Sequence, residues 1–250
     1  MNNEVLNVSE HFYSIQGEGP SAGRPAVFLR LKSCNLLCGG AGTEKDKCLH
    51  DGAKWRCDTI ETWLHGEKFE LEKLGEIFDE QGYIEKLRKG AHLIITGGEP
   101  LLQVEGIMEF LELLYVSYGL NPYTEVETNG TIFSENLFFR LNQVNCSPKL
   151  STSGMPKGKR YREQALSLLA ELKKCFFKFV ISDYADWAEI ETDFIQQFNI
   201  DPRRIYLMPA ASTREELWAM SMLCAELAKQ HLCNFSTRLQ VEIWNQTTGV

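Results

Sequence analysis

The sequence predicts an α/β fold with mostly parallel strands, arranged as a partial (incomplete) TIM-type barrel or an open sheet. Short apolar runs alternate with amphipathic segments along the chain, and glycine or proline turns follow several of the runs. Such alternation is typical of parallel sheets, whose functional sites lie at the carboxyl ends of the strands. A chain of 250 residues with 44% hydrophobic content fits one domain, residues 1–250.

The same patterns predict the individual strands and helices. Strands are predicted from Phe12 to a turn at Gly19, and at 26–32, 92–96, 123–127, 143–146, 175–181, 205–209 and 235–244. Helices are predicted at 71–88, as one or two segments around Gly82, and at 104–118, 161–174, 186–198 and 213–230. Ser212 and Thr213, with Glu215 and Glu216 behind them, predict a capped start for the last helix.

Composition narrows the class of protein. The formal net charge of −8, without a basic stripe, argues against a nucleic-acid surface and favours a small-molecule partner. No apolar run reaches the roughly 18 residues of a membrane span, and the start MNNEVLNVSE lacks the pattern of a signal peptide. We therefore expect a cytoplasmic protein that binds no membrane. In that compartment the eight cysteines should stay reduced, and Cys175, Cys224 and Cys233 are predicted to be small buried hydrophobic residues.

Half of the cysteines lie in one segment, residues 33–63, directly after the predicted strand 26–32. Cys34 and Cys38 are separated by three residues, Cys57 follows after 18 more, and Cys48 lies between them. A zinc ribbon normally uses two close pairs, so a structural zinc site matches this spacing poorly. An iron–sulfur cluster held by three thiolates leaves one iron without a protein ligand. Spacing alone leaves both interpretations open.

Further motifs resolve this choice by resemblance. The blocks CNLLC (34–38), CDT (57–59), TGGEP (96–100), ETNGT (127–131) and CSPKL (146–150) resemble the radical S-adenosylmethionine superfamily. Together with SIQGEG (14–19), they are similar to the 7-carboxy-7-deazaguanine synthase family, over about Val8 to Val250. The resemblance implies a radical SAM core built as a partial TIM-type barrel.

The resemblance also implies a lyase reaction and its cofactors. A [4Fe-4S] cluster would cleave S-adenosylmethionine to a 5′-deoxyadenosyl radical. That radical would abstract a hydrogen from 6-carboxy-5,6,7,8-tetrahydropterin, and ring contraction with loss of ammonia would give 7-carboxy-7-deazaguanine, a precursor in queuosine biosynthesis. The cofactor carries the radical, so no catalytic side chain is predicted, and the protein supplies orientation. An electron donor such as flavodoxin or ferredoxin, and a homodimer, are also expected.

Cluster ligands follow from the same motifs. Cys34, Cys38 and Cys57 match the three ligand positions, with the segment 33–63 carrying an insertion that makes Cys48 surplus. A second assignment, Cys34 with Cys48 and Cys57, also supplies three thiolates and stays open. Many relatives end in a Thr-His-Lys segment, whereas this chain has Val241-Glu242-Ile243-Trp244, which puts a C-terminal histidine role in doubt.

The remaining site residues are assigned by position in the matching motifs. The predicted S-adenosylmethionine residues are Asp58, Gly97, Gly98, Glu99, Ser147, Pro148, Lys149, Met208, Pro209 and Ala210. The glycines would let the cofactor approach the backbone, and Glu99 would accept a hydrogen bond from its ammonium group. The predicted substrate residues are Ile15, Gln16, Gly17, Glu18, Arg30, Thr96 and Val250, and Thr59 would bind Mg²⁺.

Arg30 and Glu18 are the charged side chains among the predicted substrate residues. Arg30 would grip the substrate carboxylate through two hydrogen bonds, and Glu18 would accept two from the N–H edge of the pterin. A plain salt bridge between Arg30 and Glu18 is the alternative. Two other functions also stay open: a different radical enzyme such as a glycyl-radical activase, and a non-catalytic module that binds an iron–sulfur cluster or zinc.

Overall fold

The computed structural model describes residues 5–247 and residue 249, and these residues contain one nine-stranded sheet. The strands are β1 Val5–Ile15, β2 Pro25–Leu31, β3 Glu67–Glu70, β4 His92–Gly97, β5 Thr124–Thr128, β6 Gln143–Cys146, β7 Cys175–Ile181, β8 Ile205–Pro209 and β9 Asn234–Phe235. The order across the sheet is β3-β1-β2-β4-β5-β6-β7-β8-β9, and its two edge strands do not pair with each other. Parallel pairing runs from β2 to β9, and β3-β1-β2 is antiparallel. The predicted mostly parallel, incomplete barrel is therefore confirmed.

Helices connect the strands. They are α1 Thr43–Asp46, α2 Ile60–Trp63, α3 Leu71–Glu80, α4 Tyr83–Arg88, α5 Val104–Tyr118, α6 Glu135–Arg140, α7 Lys157–Arg160, α8 Glu163–Glu171, α9 Asp186–Ile190 continued by a π-helical turn at Glu191–Gln196, α10 Arg214–His231 and α11 Leu239–Trp244. Short 3₁₀ turns lie at Gly19–Ser21, Pro100–Gln103, Ser151–Ser153 and Pro202–Arg204. No helix among the described residues is long and apolar enough to cross a membrane.

Two local predictions about helices are confirmed. Gly82 adopts a left-handed conformation (φ +69°) between α3 and α4, which a side chain would disfavour, and so divides the segment 71–88. Thr213 caps α10, because its side chain accepts a hydrogen bond from the Glu216 amide while the Glu216 carboxylate accepts one from the Thr213 amide.

The strand predicted at 235–244 is wrong. Only Asn234–Phe235 pair with β8, and the chain then turns into α11. The Leu239 amide donates to the carbonyl of Gly17 (3.0 Å), and Val241 packs against Ala211 and Leu217. One apolar contact face suits a helix as well as a strand, so tertiary contacts decide the conformation here.

The two faces of the sheet differ in polarity, because successive side chains of a strand point to opposite faces. Toward the helices lie apolar residues of the large core, for example Ile95, Val126, Val144 and Phe179. The opposite face carries mostly buried polar side chains, listed here in strand order: His92, Thr96, Glu125, Glu127, Gln143, Asn145 and Lys178. A polar interior of this kind needs hydrogen-bond partners, and it marks the face where a polar ligand would be held.

Candidate active site

Three of the predicted cluster ligands lie together at the carboxyl end of β2. Cys34, Cys38 and Cys57 share one small apolar cluster with Leu36 and Met155. The Cys57 amide donates to the Cys38 carbonyl (3.1 Å), which brings the third cysteine back to the first pair.

Cys48 lies outside this group. It is exposed on the insertion, and its Sγ lies 3.6 Å from the Asp46 carbonyl. The structure therefore favours the assignment Cys34, Cys38 and Cys57.

The chemistry of this donor set fits an iron–sulfur cluster. Burial raises the pKa of Cys34 to about 11 and that of Cys38 to about 12, so thiolates there need a positive partner to form at neutral pH. No three His, Cys, Asp or Glu side chains of the described residues are arranged around a single metal ion. A cluster spreads its thiolates over separate irons, so it does not require that arrangement. The buried indole Nε1 of Trp55, packed against the same apolar cluster, has no hydrogen-bond partner among the described residues.

Gly97, which ends β4, and Gly98, which follows it, allow close packing of the chain, and their predicted role in letting the cofactor approach the backbone stays a prediction. A Cβ on Gly98 would lie 2.1 Å from the Ser33 carbonyl oxygen, and one on Gly97 would lie 2.2 Å from the Leu31 carbonyl oxygen. The space that the missing side chains leave is filled by β2 and the cysteine segment. The glycines therefore hold the cysteines against β4.

Glu99 lies between the ends of β4 and β5, and its predicted hydrogen bond to the ammonium group of S-adenosylmethionine stays a prediction. Its side chain is fully buried and accepts hydrogen bonds from the Leu101 amide (3.1 Å), the Thr128 hydroxyl (2.8 Å) and the Asn129 amide (2.7 Å). Burial raises the pKa of this carboxyl group although these bonds oppose the shift. In this conformation Glu99 joins the ends of β4 and β5 and presents no surface to a ligand.

The TNG turn after β5 is joined to the cysteine segment. The side-chain Nδ2 of Asn129 donates to Asn35 Oδ1 (2.8 Å), and Asn35 Nδ2 donates to Thr131 Oγ1 (2.8 Å). Asn129 itself is buried. Two motifs that lie far apart in sequence, CNLLC and ETNGT, therefore form one hydrogen-bonded unit.

The other predicted cofactor residues lie at the ends of β6 and β8. Lys149 Nζ donates to Ser147 Oγ (2.9 Å) and lies 5.9 Å from the centre of the Trp55 ring, close to the cysteines, and Pro148 between Ser147 and Lys149 is buried. Met208 and Pro209 are buried, and the Ala210 amide donates to the Ile181 carbonyl (2.8 Å).

The predicted substrate turn lies against the polar face of the sheet. Gln16 is buried and donates through Nε2 to Glu127 Oε1 (3.2 Å), and Thr96 donates to the other oxygen of Glu127 (2.7 Å). Ile15 ends β1, and Gly17 follows Gln16 with no room for a side chain, because Gln240 packs there. The structure thus brings Gln16 and Thr96 together through Glu127, whereas Val250 lies outside the described residues.

Glu18 is surrounded by positive and amide groups. It pairs with Lys178 and with Arg238 (Nε to Oε1, 3.1 Å), and Gln240 Nε2 donates to the same Oε1 (2.7 Å). Burial alone would raise the pKa of Glu18, but the charges of Lys178 and Arg238 outweigh it and hold the pKa well below its usual range. Glu18 is therefore an ionised acceptor.

Arg30 is paired, but with a different partner from the one considered. Its Nε donates to Glu10 Oε1 (2.7 Å), so the alternative of an Arg30–Glu18 salt bridge is wrong. Among the described residues, no acceptor bonds its two Nη atoms, so the outer edge of the guanidinium can still bind a carboxylate. Thr59 lies beside the cysteines, with Oγ1 3.4 Å from Cys57 Sγ.

Sequence reasoning left out four residues of this polar face. Glu127 and Lys178 were predicted to lie in strands, at 123–127 and 175–181, and neither was among the predicted site residues. Arg238 and Gln240 fell at the start of the wrongly predicted strand. A cation within the apolar run CFFKFVI was the one available signal, because a buried lysine requires a carboxylate.

Comparison with known proteins agrees with this architecture. No protein-family model matches the chain. The chain is 31% identical to the 7-carboxy-7-deazaguanine synthase of Halobacterium salinarum, over 96% of this chain and 91% of that protein. It is also 31% identical to the enzyme of the same name from Hyperthermus butylicus, over 96% and 93%.

A solved structure shows the same fold. The crystal structure of QueE from Escherichia coli superimposes with a TM-score of 0.62 at 24% identity, covering 94% of each chain. Likeness at that identity concerns the fold, whereas the identity to the Halobacterium and Hyperthermus proteins over nearly their whole length concerns the family. This chain belongs to the 7-carboxy-7-deazaguanine synthase family.

Proposed function

We propose that this protein converts 6-carboxy-5,6,7,8-tetrahydropterin to 7-carboxy-7-deazaguanine with loss of ammonia, as a radical S-adenosylmethionine lyase of 7-deazapurine biosynthesis. One observation carries the proposal: the three clustered thiols follow the carboxyl end of β2, and Thr96 and Glu127 of the polar face lie near the carboxyl ends of the next two parallel strands, β4 and β5. An apolar site of thiols alone would hold a cluster, but it would offer nothing to a polar heterocycle.

The cluster side would be held by Cys34, Cys38 and Cys57. The cluster, when bound there, supplies the electron that cleaves S-adenosylmethionine. Lys149 and Ser147, next to the cysteines, offer a charge and a hydroxyl for the carboxylate and ribose of that molecule. Asp58, Pro148 and the end of β8 at Met208, Pro209 and Ala210 are proposed to complete its site. Gly97 and Gly98 would hold the cysteine segment against the end of β4, and Glu99 would hold the turn at Asn129 there.

The substrate side would use the polar face. Arg30 offers its outer guanidinium edge to the substrate carboxylate. Gln16, Thr96 and Glu127 form a hydrogen-bonded row in which Glu127 is 26% exposed and can accept N–H groups of the pterin. Glu18 already accepts hydrogen bonds from three protein groups, so it has room for about one more and not for the two expected of it.

Four further features belong to the proposal. Thr59 Oγ1 would give Mg²⁺ one oxygen ligand, with the substrate carboxylate and water supplying others. A small electron-transfer protein such as flavodoxin or ferredoxin would reduce the cluster, and the protein would act as a homodimer in the cytoplasm. The resemblance to the family supports these features.

One anaerobic reaction tests the proposed function. Protein with reconstituted cluster is incubated with a chemical reductant, S-adenosylmethionine, Mg²⁺ and the tetrahydropterin. We expect 7-carboxy-7-deazaguanine and ammonia in equal amounts, and neither without the pterin or S-adenosylmethionine. Cleavage of S-adenosylmethionine at the same rate with and without pterin, and no deazaguanine, would reject the function.

A further inference from the structure

The C-terminal segment 236–247 is hydrogen-bonded to the substrate turn, residues 16–19. The Leu239 amide donates to the Gly17 carbonyl (3.0 Å), and the Gly19 amide donates to Ser236 Oγ (2.8 Å). The Ser236 amide donates to the Leu207 carbonyl of β8 (2.9 Å). The segment therefore ties the turn at 16–19 to the sheet, and it carries Arg238 into the space between them.

Arg238 uses all three of its nitrogen atoms on different parts of the site. Nε donates to Glu18 Oε1 (3.1 Å), Nη1 to the carbonyl of Ala211 and Nη2 to Asp58. These acceptors belong to the substrate turn, to the residues just beyond β8 and to the position directly after Cys57. The arginine side chain is only 11% exposed. Arg238 thus joins the substrate turn, the chain just beyond β8 and the cysteine segment.

Arg238 stays charged as the pH changes, so its contacts with Glu18, Ala211 and Asp58 persist. An arginine does not lose its proton in proteins, and the neighbouring carboxylates keep the pKa of Arg238 above even its usual value although burial opposes this. Its planar guanidinium fixes the directions of the three hydrogen bonds together, which a lysine ammonium group would not do. The turn that carries Gln16 and Glu18 is therefore held at a set distance from the cysteine segment before substrate arrives.

We propose that Arg238 is a positioning residue, which holds the substrate turn in register with the cysteine segment so that the bound pterin presents its reacting hydrogen to the radical. The inference rests on the proposed function. Arg238 needs no contact with the substrate, because the effect is one of orientation, and small misplacements of reacting groups cost large factors in rate. Loss of Arg238 should both weaken pterin binding and let S-adenosylmethionine be cleaved without product.

The test compares three variants with the wild type. Arg238→Met removes the charge, and Arg238→Lys keeps it without the three-way geometry. Arg204→Met is the matched control, because Arg204 also donates to three acceptors, the carbonyls of Ala170 (2.7 Å), Leu172 (2.8 Å) and Cys175 (3.3 Å), but at the opposite end of β8. For each variant the KM for the tetrahydropterin and the amount of product per 5′-deoxyadenosine are measured, together with iron content.

The expected pattern separates positioning from general loss of structure. Arg238→Met should raise the KM about tenfold or more and lower the product per 5′-deoxyadenosine by about 10- to 100-fold. Arg238→Lys should recover part of both, and Arg204→Met should change neither even if it lowers stability. Wild-type KM and wild-type product ratio in Arg238→Lys and Arg238→Met would overturn the inference. Equal changes in Arg204→Met would do so too.

If Arg238→Met does not fold, the comparison of Arg238→Lys with Arg204→Met decides. A wild-type amount of product per 5′-deoxyadenosine in Arg238→Lys then overturns the proposal. Failure of the proposed function is distinct from these outcomes, because the wild-type protein would then make no 7-carboxy-7-deazaguanine at all.

Discussion

Replacing Lys178 tests whether charge pairing holds the polar face together. Lys178 Nζ contacts Glu18 and lies 3.9 Å from Glu127 Oε1, and the Lys178 and Glu18 side chains are only 9% and 11% exposed. Burial alone would lower the pKa of Lys178, but the charges of Glu18 and Glu127 raise it above its usual value. Lys178→Met keeps most of the volume and removes the charge.

The magnitude follows from what the substitution leaves behind. Breaking a buried pair by removing one partner costs roughly 3–5 kcal/mol, and Arg238 and Gln240 still serve Glu18, so we expect a loss of about 3 kcal/mol in the free energy of unfolding. Urea unfolding at pH 7 measures it. Lys157→Met is the control, because Lys157 pairs with Asp193 at 2.6 Å but is 56% exposed, and it should cost about 0–1 kcal/mol.

The pH dependence supplies the second half of this test. The pKa of Glu18 is lowered in the folded protein, so its contribution is present above the unfolded pKa of about 4.3 and is lost as pH falls through the folded value. The pKa of Lys178 is raised, so its contribution is present below about 10.4 and is lost as pH rises through the folded value. The difference between wild type and Lys178→Met should therefore be largest at about pH 5–10. A loss as small as that of Lys157→Met, or one independent of pH, would refute the reasoning.

Three further predictions concern the site. Cys48→Ala should keep iron, brown colour and activity, whereas Cys38→Ala should lose the cluster; iron analysis showing the reverse would contradict the ligand assignment. Gly98→Ala places a Cβ 2.1 Å from a backbone oxygen, so it should destabilise the apo-protein by about 1–3 kcal/mol and lower iron per chain, and unchanged values for both would contradict the packing role. Arg30→Ala should weaken pterin binding by about 2–5 kcal/mol. Thr59→Ala or removal of Mg²⁺ should slow product formation and spare S-adenosylmethionine cleavage. An unchanged affinity of Arg30→Ala for the pterin, with and without Mg²⁺, would limit Arg30 to its salt bridge with Glu10.

Strands that are buried on both faces were predictable from the sequence. Cys175–Ile181, Ile205–Pro209 and Gln143–Cys146 have the predicted bounds, as does the helix Val104–Tyr118. Their apolar runs or one-sided apolar periodicity are local signals.

The edge of the sheet could not be found in the same way. The first half of β1 and all of the edge strand β3 were not predicted, because these two antiparallel strands carry Ser, Glu, Lys and His and show no apolar run. The segment 235–244 was assigned to a strand because its pattern fits both conformations. Arg214 fixes the helix there by donating to the carbonyls of Glu242 (2.8 Å) and Ile243 (2.5 Å).

The site residues that belong to sequence motifs could be predicted, whereas the ion-pair partners of Glu18 could not. Cys34, Cys38 and Cys57 were assigned by resemblance, and the structure brings them together. The partners of Glu18 lie 160 and 220 positions away along the chain, so no local pattern reveals them. The packing of Gly98 against Ser33 was not predictable, because the group that fills the space of the missing side chain depends on tertiary structure.

The most direct test of the account is the ratio of 7-carboxy-7-deazaguanine to 5′-deoxyadenosine in the anaerobic reaction of the wild-type protein. The resemblance to the family implies that the hydrogen returns to the deoxyadenosyl radical, and the proposed role of Arg238 is to keep the substrate in place for that return. Many molecules of product per 5′-deoxyadenosine are therefore expected, with S-adenosylmethionine used catalytically. One 5′-deoxyadenosine for each product, or 5′-deoxyadenosine without product, would contradict the account.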